Sequence, residues 1–291
     1  MKFEDIEKIC VVGAGTMGRQ IALANAVGGY KVSLNDSDEK AIDNAKKWTY
    51  EYLDGRIAKG RMSQDQVNKI KENLMFTSSL EEATNGASLV IEAIIELLEA
   101  KRELFSKLDK VCNSETILAT NSSSFVSSLL ADCTERSSKV INMHFFNPAM
   151  VMELVEVVKG PHTSDETANL VIAVAKKINK SPILLKKEID GFVVNRFIRV
   201  IVAEASYLLE NDVASFEDID IGVEKGLRHP MGPFKLMDQI GIDVMYSTRA
   251  ERYKKTGKEE DKPEKILEEK FKKNELGRKT GKGFYTYSPK A

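Results

Sequence analysis

Cysteine, histidine and net charge are all scarce in this chain of 291 residues. Cys10, Cys112 and Cys133 are odd in number, widely spaced and free of any Cys-x-x-Cys pair. That excludes a disulfide framework, offers no metal-ligand spacing, and points to reduced thiols in a cytoplasmic protein. Cys10 lies inside an apolar run and reads as a small buried hydrophobe. With 43 Lys and Arg against 44 Asp and Glu, the net charge is −1, so no overall field recruits nucleic acid or an anionic membrane. The longest apolar runs, such as Val193–Val202, carry Asn and Arg and fall short of a membrane span. The opening MKFEDIEKIC lacks the basic-then-apolar order of a secretory leader. Internal repeats and low-complexity linkers are also missing.

What is present is a core-forming composition, 42% hydrophobic and 30% charged, with length for one large or two ordinary domains. Up to about residue 186, short β-rich runs alternate with helical stretches, the pattern of an α/β domain with a mainly parallel sheet. Strands are expected at Lys8–Val12, Lys31–Asn35, Leu89–Ala93, Ile117–Thr120, Val140–Phe145, Leu154–Val158 and Ile183–Leu185. Helices are expected at Gly15–Val27, Asp38–Lys59, Gln64–Glu72, Leu97–Lys110 and Asp165–Ile178. Beyond Gly191 the texture becomes all-α with Gly/Pro breaks, and Phe192–Glu210 has the apolar spacing of a largely buried helix. Further helices are expected at Ser215–Lys225, Phe234–Tyr253 and Glu264–Lys273. The domains are therefore placed at 1–187 and 188–291.

The segment KICVVGAGTMG sets Gly13-Ala14-Gly15-Thr16-Met17-Gly18 between a strand and a helix. The first glycine permits a tight turn, the second lets backbone approach a pyrophosphate, and the third lets helix pack on strand. Orphan amides and the helix dipole then attract phosphate. Asp36, 18 residues after Gly18, stands at the end of the second strand, where a carboxylate accepts from the adenosine ribose hydroxyls. Ser37, Asp38 and Glu39 follow, with no arginine to hold a 2′-phosphate, which favours NAD over NADP.

His144 ends the apolar strand VINMH, at the sheet edge where ligands of open α/β folds gather. A lone histidine there could equally be a satisfied core residue. Glu156, 12 residues on, alters that balance: alternation puts Leu154, Glu156 and Val158 on one face and Glu153, Val155 and Val157 on the other. A carboxylate among apolar neighbours needs a partner, and His144 is the nearest candidate. Together they have the chemistry of a held general base. Thr120–Phe125, TNSSSF, supplies hydroxyls and an amide after another strand, or simply a polar turn. Asn195, inside the apolar GFVVNRF, reads as a structural clamp or a substrate donor, since a buried amide must find partners.

With these residues in view, the chain resembles the L-3-hydroxyacyl-CoA dehydrogenases, in particular the short bacterial 3-hydroxybutyryl-CoA dehydrogenases, over nearly its whole length. The ordered motifs are GAGTMG, LVIEAIIE (Leu89–Glu96), ATNSSS (Ala119–Ser124), MHFFNP (Met143–Pro148), LVEVV (Leu154–Val158), DGFVVNR (Asp190–Arg196), HPMGPF (His229–Phe234) and GRKTGKGFY (Gly277–Tyr285). The resemblance implies a Rossmann-type NAD-binding domain followed by an all-α domain that forms a homodimer. It also implies the reversible oxidation of (3S)-3-hydroxyacyl-CoA by NAD. On the matching positions, His144 is the general base, Glu156 its partner, and Ser123 and Asn195 contact substrate. Glu96, Lys101, Asn147 and Lys279, with Ser123, match cofactor contacts, and Lys59 matches a basic residue of the coenzyme A site.

Two positions depart from the pattern: Tyr52 replaces a serine that contacts coenzyme A, and Glu153 stands where many members carry lysine. Arg56 and Arg61 could supplement Lys59 or form a solvated face. Two other readings compete: a related dehydrogenase of another hydroxyacid or acyl-CoA, and a non-catalytic NAD-binding protein.

Overall fold

The computed structural model describes residues 1–288 and divides into two compact units, Met1–Val193 and Val194–Ala291. The first unit begins with β1 (Lys8–Val12), α1 (Thr16–Val27), β2 (Lys31–Asn35), α2 (Glu39–Ala58), α3 (Gln64–Glu72), β3 (Leu74–Thr77) and α4 (Leu80–Thr84). It continues through β4 (Leu89–Glu92), α5 (Leu98–Val111), β5 (Ile117–Thr120), α6 (Ser128–Ala131), β6 (Val140–Phe145), β7 (Leu154–Val158), α7 (Asp165–Lys177) and β8 (Ser181–Leu185). Local chemistry sets the helix starts. Asp38 caps α2 by accepting from the Lys40 amide, Ser63 and Gln66 form a reciprocal capping box on α3, and Ser164 caps α7.

The strands form one eight-stranded sheet in the order β3-β2-β1-β4-β5-β6-β7-β8. All neighbours are parallel except β6 and β7. The reversal follows from the short connection between Phe145 and Leu154, which is too brief for the crossover a parallel pair needs. β1, β4 and β5 are buried on both faces, as central parallel strands must be. One face packs with α1, α2 and α7 around Val11, Ile21, Leu34, Leu53 and Val171; the other packs with α4 and α5 around Cys10, Val90, Ala83 and Phe105. Burial pushes the Cys10 thiol pKa well above its usual value, as befits a core residue.

The expected strands omit β3. Its four residues, Leu74–Thr77, are all half-buried at the sheet edge, so they lack both the alternation and the full burial that mark a strand in sequence.

The second unit contains α8 (Val194–Glu210), α9 (Phe216–Ile221), α10 (Pro233–Ile240), α11 (Ile242–Thr256) and α12 (Lys265–Lys272). Val202, Ala205, Ile219, Phe234, Met237, Ile242, Leu267 and Phe284 form its core. Two buried aspartates stitch it together: Asp220 accepts from the Phe234 amide and Tyr285 hydroxyl, Asp238 from the Phe284 and Tyr285 amides. Three expectations change here. The helix expected from Phe192 starts at Val194, because Gly191 and Phe192 are left-handed at φ 75° and 47°. It is also less buried than its apolar spacing suggested, since Phe197, Val200 and Tyr207 are exposed. The single helix expected at Phe234–Tyr253 is broken at Gly241, whose φ of 108° no helix tolerates.

Candidate active site

The site of the first unit lies along the C-terminal edge of the sheet. At the β1–α1 turn a Cβ on Gly13 would meet Ala93 O at 2.4 Å, and one on Gly18 would meet Gly13 O at 1.7 Å. Both glycines therefore exist for close packing. Around Gly15 there is nothing within 4 Å, so that backbone is open to an incoming group. Gly15 caps α1 without a side chain, which leaves the first-turn amides free for phosphate. The Asp36 carboxylate sits against this turn: it accepts from the Ala14 amide at 2.8 Å and the Asp38 amide at 3.0 Å. Ala14 is buried, Met17 half-buried and Thr16 exposed. This cradle fits a dinucleotide.

Beside it, the end of β4 carries a residue that the sequence reading missed. Glu92 is fully buried and accepts from Lys101 Nζ at 2.6 Å, Thr120 Oγ1 at 2.6 Å and the Ile94 amide at 2.8 Å. Lys101, itself 1% exposed, also pairs with Glu96 at 3.0 Å. Glu96 in turn accepts from the Ser122 hydroxyl and the Ser124 amide. Burial works to raise the Glu96 pKa, but the charge of Lys101 and the hydrogen bonds from Ser122, Lys101 and Ser124 together hold it below its ordinary value. An acid closing an otherwise apolar strand, with a lysine on the following helix, was the available signal.

The third part is built on the antiparallel ladder. His144 and Glu156 are register partners across β6 and β7. Alternation sends Ile141, Met143 and Phe145, with Val155 and Val157, into the main core. Asn142, His144 and Glu156 therefore take the other face. His144 Nδ1 lies 2.9 Å from Glu156 Oε2, with the residues 6% and 0% exposed. Glu156 Oε1 accepts from the Val193 amide at 3.0 Å. Phe146 and Phe192 flank the imidazole at 4.7 and 5.5 Å between ring centres. A carboxylate in this position accepts, so Nδ1 carries the shared hydrogen and Nε2 is the basic nitrogen.

Two asparagines fasten the loop after β5: Asn121, the amide of the TNSSSF run, and Asn142, which the sequence did not reveal. Asn142 accepts from the Ser127 amide and donates to Ser122 O and Phe125 O, while Asn121 accepts from the Phe145 amide. Ser123 thus sits in a hydrogen-bonded loop, half-buried, with no hydrogen-bond partner for its hydroxyl among the described residues. Asn147 accepts from Gln20 of α1 at 3.4 Å.

Glu153 also finds a place. Burial lowers the Lys180 pKa while the neighbouring Glu153 charge opposes that shift, and Lys180 Nζ donates to Ala149 O and Met152 O. Tyr52 stacks on Trp48, over which Arg19 lies at 4.6 Å; Lys59, at the end of α2, and Arg61 are exposed, and Arg56 is half-buried. In the second unit, Asn195 stands in the first turn of α8 and Lys279 pairs with Asp243.

A glycine cradle with a strand-end aspartate, beside a buried His–Glu pair, defines an NAD-dependent oxidoreductase. The family model "3-hydroxyacyl-CoA dehydrogenase, NAD binding domain" matches residues 8–189, and the corresponding C-terminal domain matches 191–287. The chain belongs to the 3-hydroxyacyl-CoA dehydrogenase family. It is 38% identical over 281 residues to 3-hydroxybutyryl-CoA dehydrogenase of Clostridioides difficile, covering 97% of this chain and 99% of that one. It is 35% identical over 290 residues to the mitochondrial hydroxyacyl-coenzyme A dehydrogenase of Homo sapiens, covering 97% and 91%. The crystal structure of (S)-3-hydroxybutyryl-CoA dehydrogenase from Ralstonia eutropha superposes with a TM-score of 0.89 at 36% identity, covering 98% of this chain and 100% of that one. Among the described residues, no helix is long and apolar enough to cross a membrane.

Proposed function

We propose that the protein interconverts (3S)-3-hydroxybutyryl-CoA and acetoacetyl-CoA, with His144 as general base. The buried His144–Glu156 pair carries this reading. Bound NAD supplies the hydride acceptor for C3. In the oxidative direction, His144 Nε2 takes the 3-hydroxyl proton, and Glu156, held by the Val193 amide, keeps the ring oriented and stabilises its cationic form. In reduction the protonated His144 returns that proton to the 3-oxo oxygen. Proton transfer from a positioned group contributes ~10²–10⁴-fold. Ser123, whose hydroxyl is uncommitted in a hydrogen-bonded loop, and Asn195 hold the substrate oxygens.

The Gly13–Gly18 turn, Asp36, Glu96, Lys101, Asn147 and Lys279 hold the cofactor, and Lys59 meets the coenzyme A portion. We further read the protein as a cytoplasmic homodimer. The exposed stripe Phe197, Val200 and Tyr207 on α8 is an apolar face suited to a second copy.

The deciding experiment is a reduction panel with NADH: acetoacetyl-CoA, longer 3-oxoacyl-CoAs and free 3-oxo acids. Acetoacetyl-CoA should give the highest kcat/KM. Equal efficiency with the free acids would overturn the thioester assignment, and preference for a longer chain would overturn the C4 assignment alone.

A further inference from the structure

We infer that Glu92 is a positioning residue of the cofactor site, acting through Lys101 to keep Glu96 available as an acceptor. The inference rests on reading Glu96 and Lys101 as cofactor contacts and extends it to a residue that touches no ligand. Glu92 ends β4, paired in register with Val12 of β1 and Thr120 of β5. It therefore lies under the crevice between β1 and β4, where the strand order reverses and dinucleotides bind. Three donors, Lys101 Nζ, Thr120 Oγ1 and the Ile94 amide, occupy its two oxygens, and it is fully buried.

Lys101 is sealed in as well, so its ammonium needs a compensating charge. Two acids touch it. Glu92 is 0% exposed and the Glu96 side chain is 39% exposed. The sealed acid neutralises the ammonium, and the negative charge of the triad remains on the accessible Glu96, which accepts from the Ser122 hydroxyl and the Ser124 amide. The same connection anchors the loop after β5 at its start and middle. Thr120 is fastened to Glu92, and Ser122 and Ser124 to Glu96. Without Glu92, Lys101 would draw Glu96 wholly into its own neutralisation.

The test is a double-mutant cycle of Glu92→Gln and Lys101→Met. It reads the NADH dissociation constant by fluorescence titration, the Tm of the ligand-free protein, and KM for acetoacetyl-CoA. Glu92→Gln should weaken NADH binding roughly tenfold with KM for acetoacetyl-CoA unchanged. The double variant should bind NADH no worse than Lys101→Met alone, because Glu92 works through that lysine. Parental NADH binding in Glu92→Gln, or losses that multiply in the double variant, would make Glu92 merely structural and overturn the inference.

Unchanged NADH binding in Lys101→Met would instead remove the cofactor-contact reading beneath it. If Glu92→Gln does not fold, the double variant removes both buried charges together and still decides. Equal dissociation constants for it and Lys101→Met support the inference, and a further loss overturns it.

Discussion

The two halves of the sheet edge make their sites by opposite means. On the β2-β1-β4 side the dinucleotide cradle is made by omission: Gly13 and Gly18 have no room for a methyl group, and Gly15 leaves space unfilled. On the β6-β7 side the His144–Glu156 pair is made by inserting polar groups into the sheet, with both side chains nearly or wholly buried. The first half recognises through backbone, which tolerates variation in the side chains around it. The second depends on two particular functional groups and the ladder that aligns them. Damage should therefore look different on the two sides.

The largest contrast is expected from His144→Gln. Turnover should fall by ~10²–10⁴, while the NADH dissociation constant stays within a few-fold of the parent. A variant that turns over normally would remove His144 as base.

The glycines test the other half. Gly18→Ala drives a Cβ into backbone and should cost about 3 kcal/mol or more, seen as a Tm lower by roughly 6–12 °C or as loss of soluble protein. Gly15→Ala meets nothing within 4 Å, so Tm should hold while NADH binding weakens about tenfold. Equal behaviour of the two in calorimetry would erase the distinction between packing and approach.

A smaller effect is expected for Asp36→Ala. Its preference for NADH over NADPH should shrink by about tenfold, the scale of one hydrogen bond to a charged group. An unchanged ratio of kcat/KM values would show that discrimination lies elsewhere.

The smallest concerns pH. The Glu96 pKa is held below its ordinary value, so any interaction that needs the carboxylate is complete above the ordinary value and is lost only as pH falls through the lowered one. NADH titrations from pH 7 down to about 5 should thus show no weakening attributable to Glu96, and Glu96→Gln should shift affinity by the same factor throughout that interval.

Legibility in the sequence followed the range of the interactions. The β1–α1 turn was readable because its determinants, Gly13, Gly15 and Gly18, lie within six consecutive residues. Strand alternation put Glu156 on the opposite face of β7 from Glu153, and the structure buries both faces of that strand. What escaped depended on contacts distant in sequence. Glu92 gains its meaning from Thr120, 28 residues on, and Glu153 from Lys180, one strand over. Asn142 is a polar residue whose partners are backbone groups of another segment, invisible to any periodicity. Edge strand β3 lacked a burial pattern, and the break at Gly241 was hidden by continuous apolar spacing on both sides.

The reversal at β6–β7 carries a consequence for how this enzyme can change. His144 and Glu156 meet within the contiguous stretch Val140–Val158, so the pair is assembled by a local closure that needs no distant element to bring it together. Their alignment is stored in the strand ladder, which β8 extends on the far side, and not in the length of the connection between them. Insertions or deletions between Phe146 and Glu153 would therefore change the length of this loop while His144 and Glu156 stay in register.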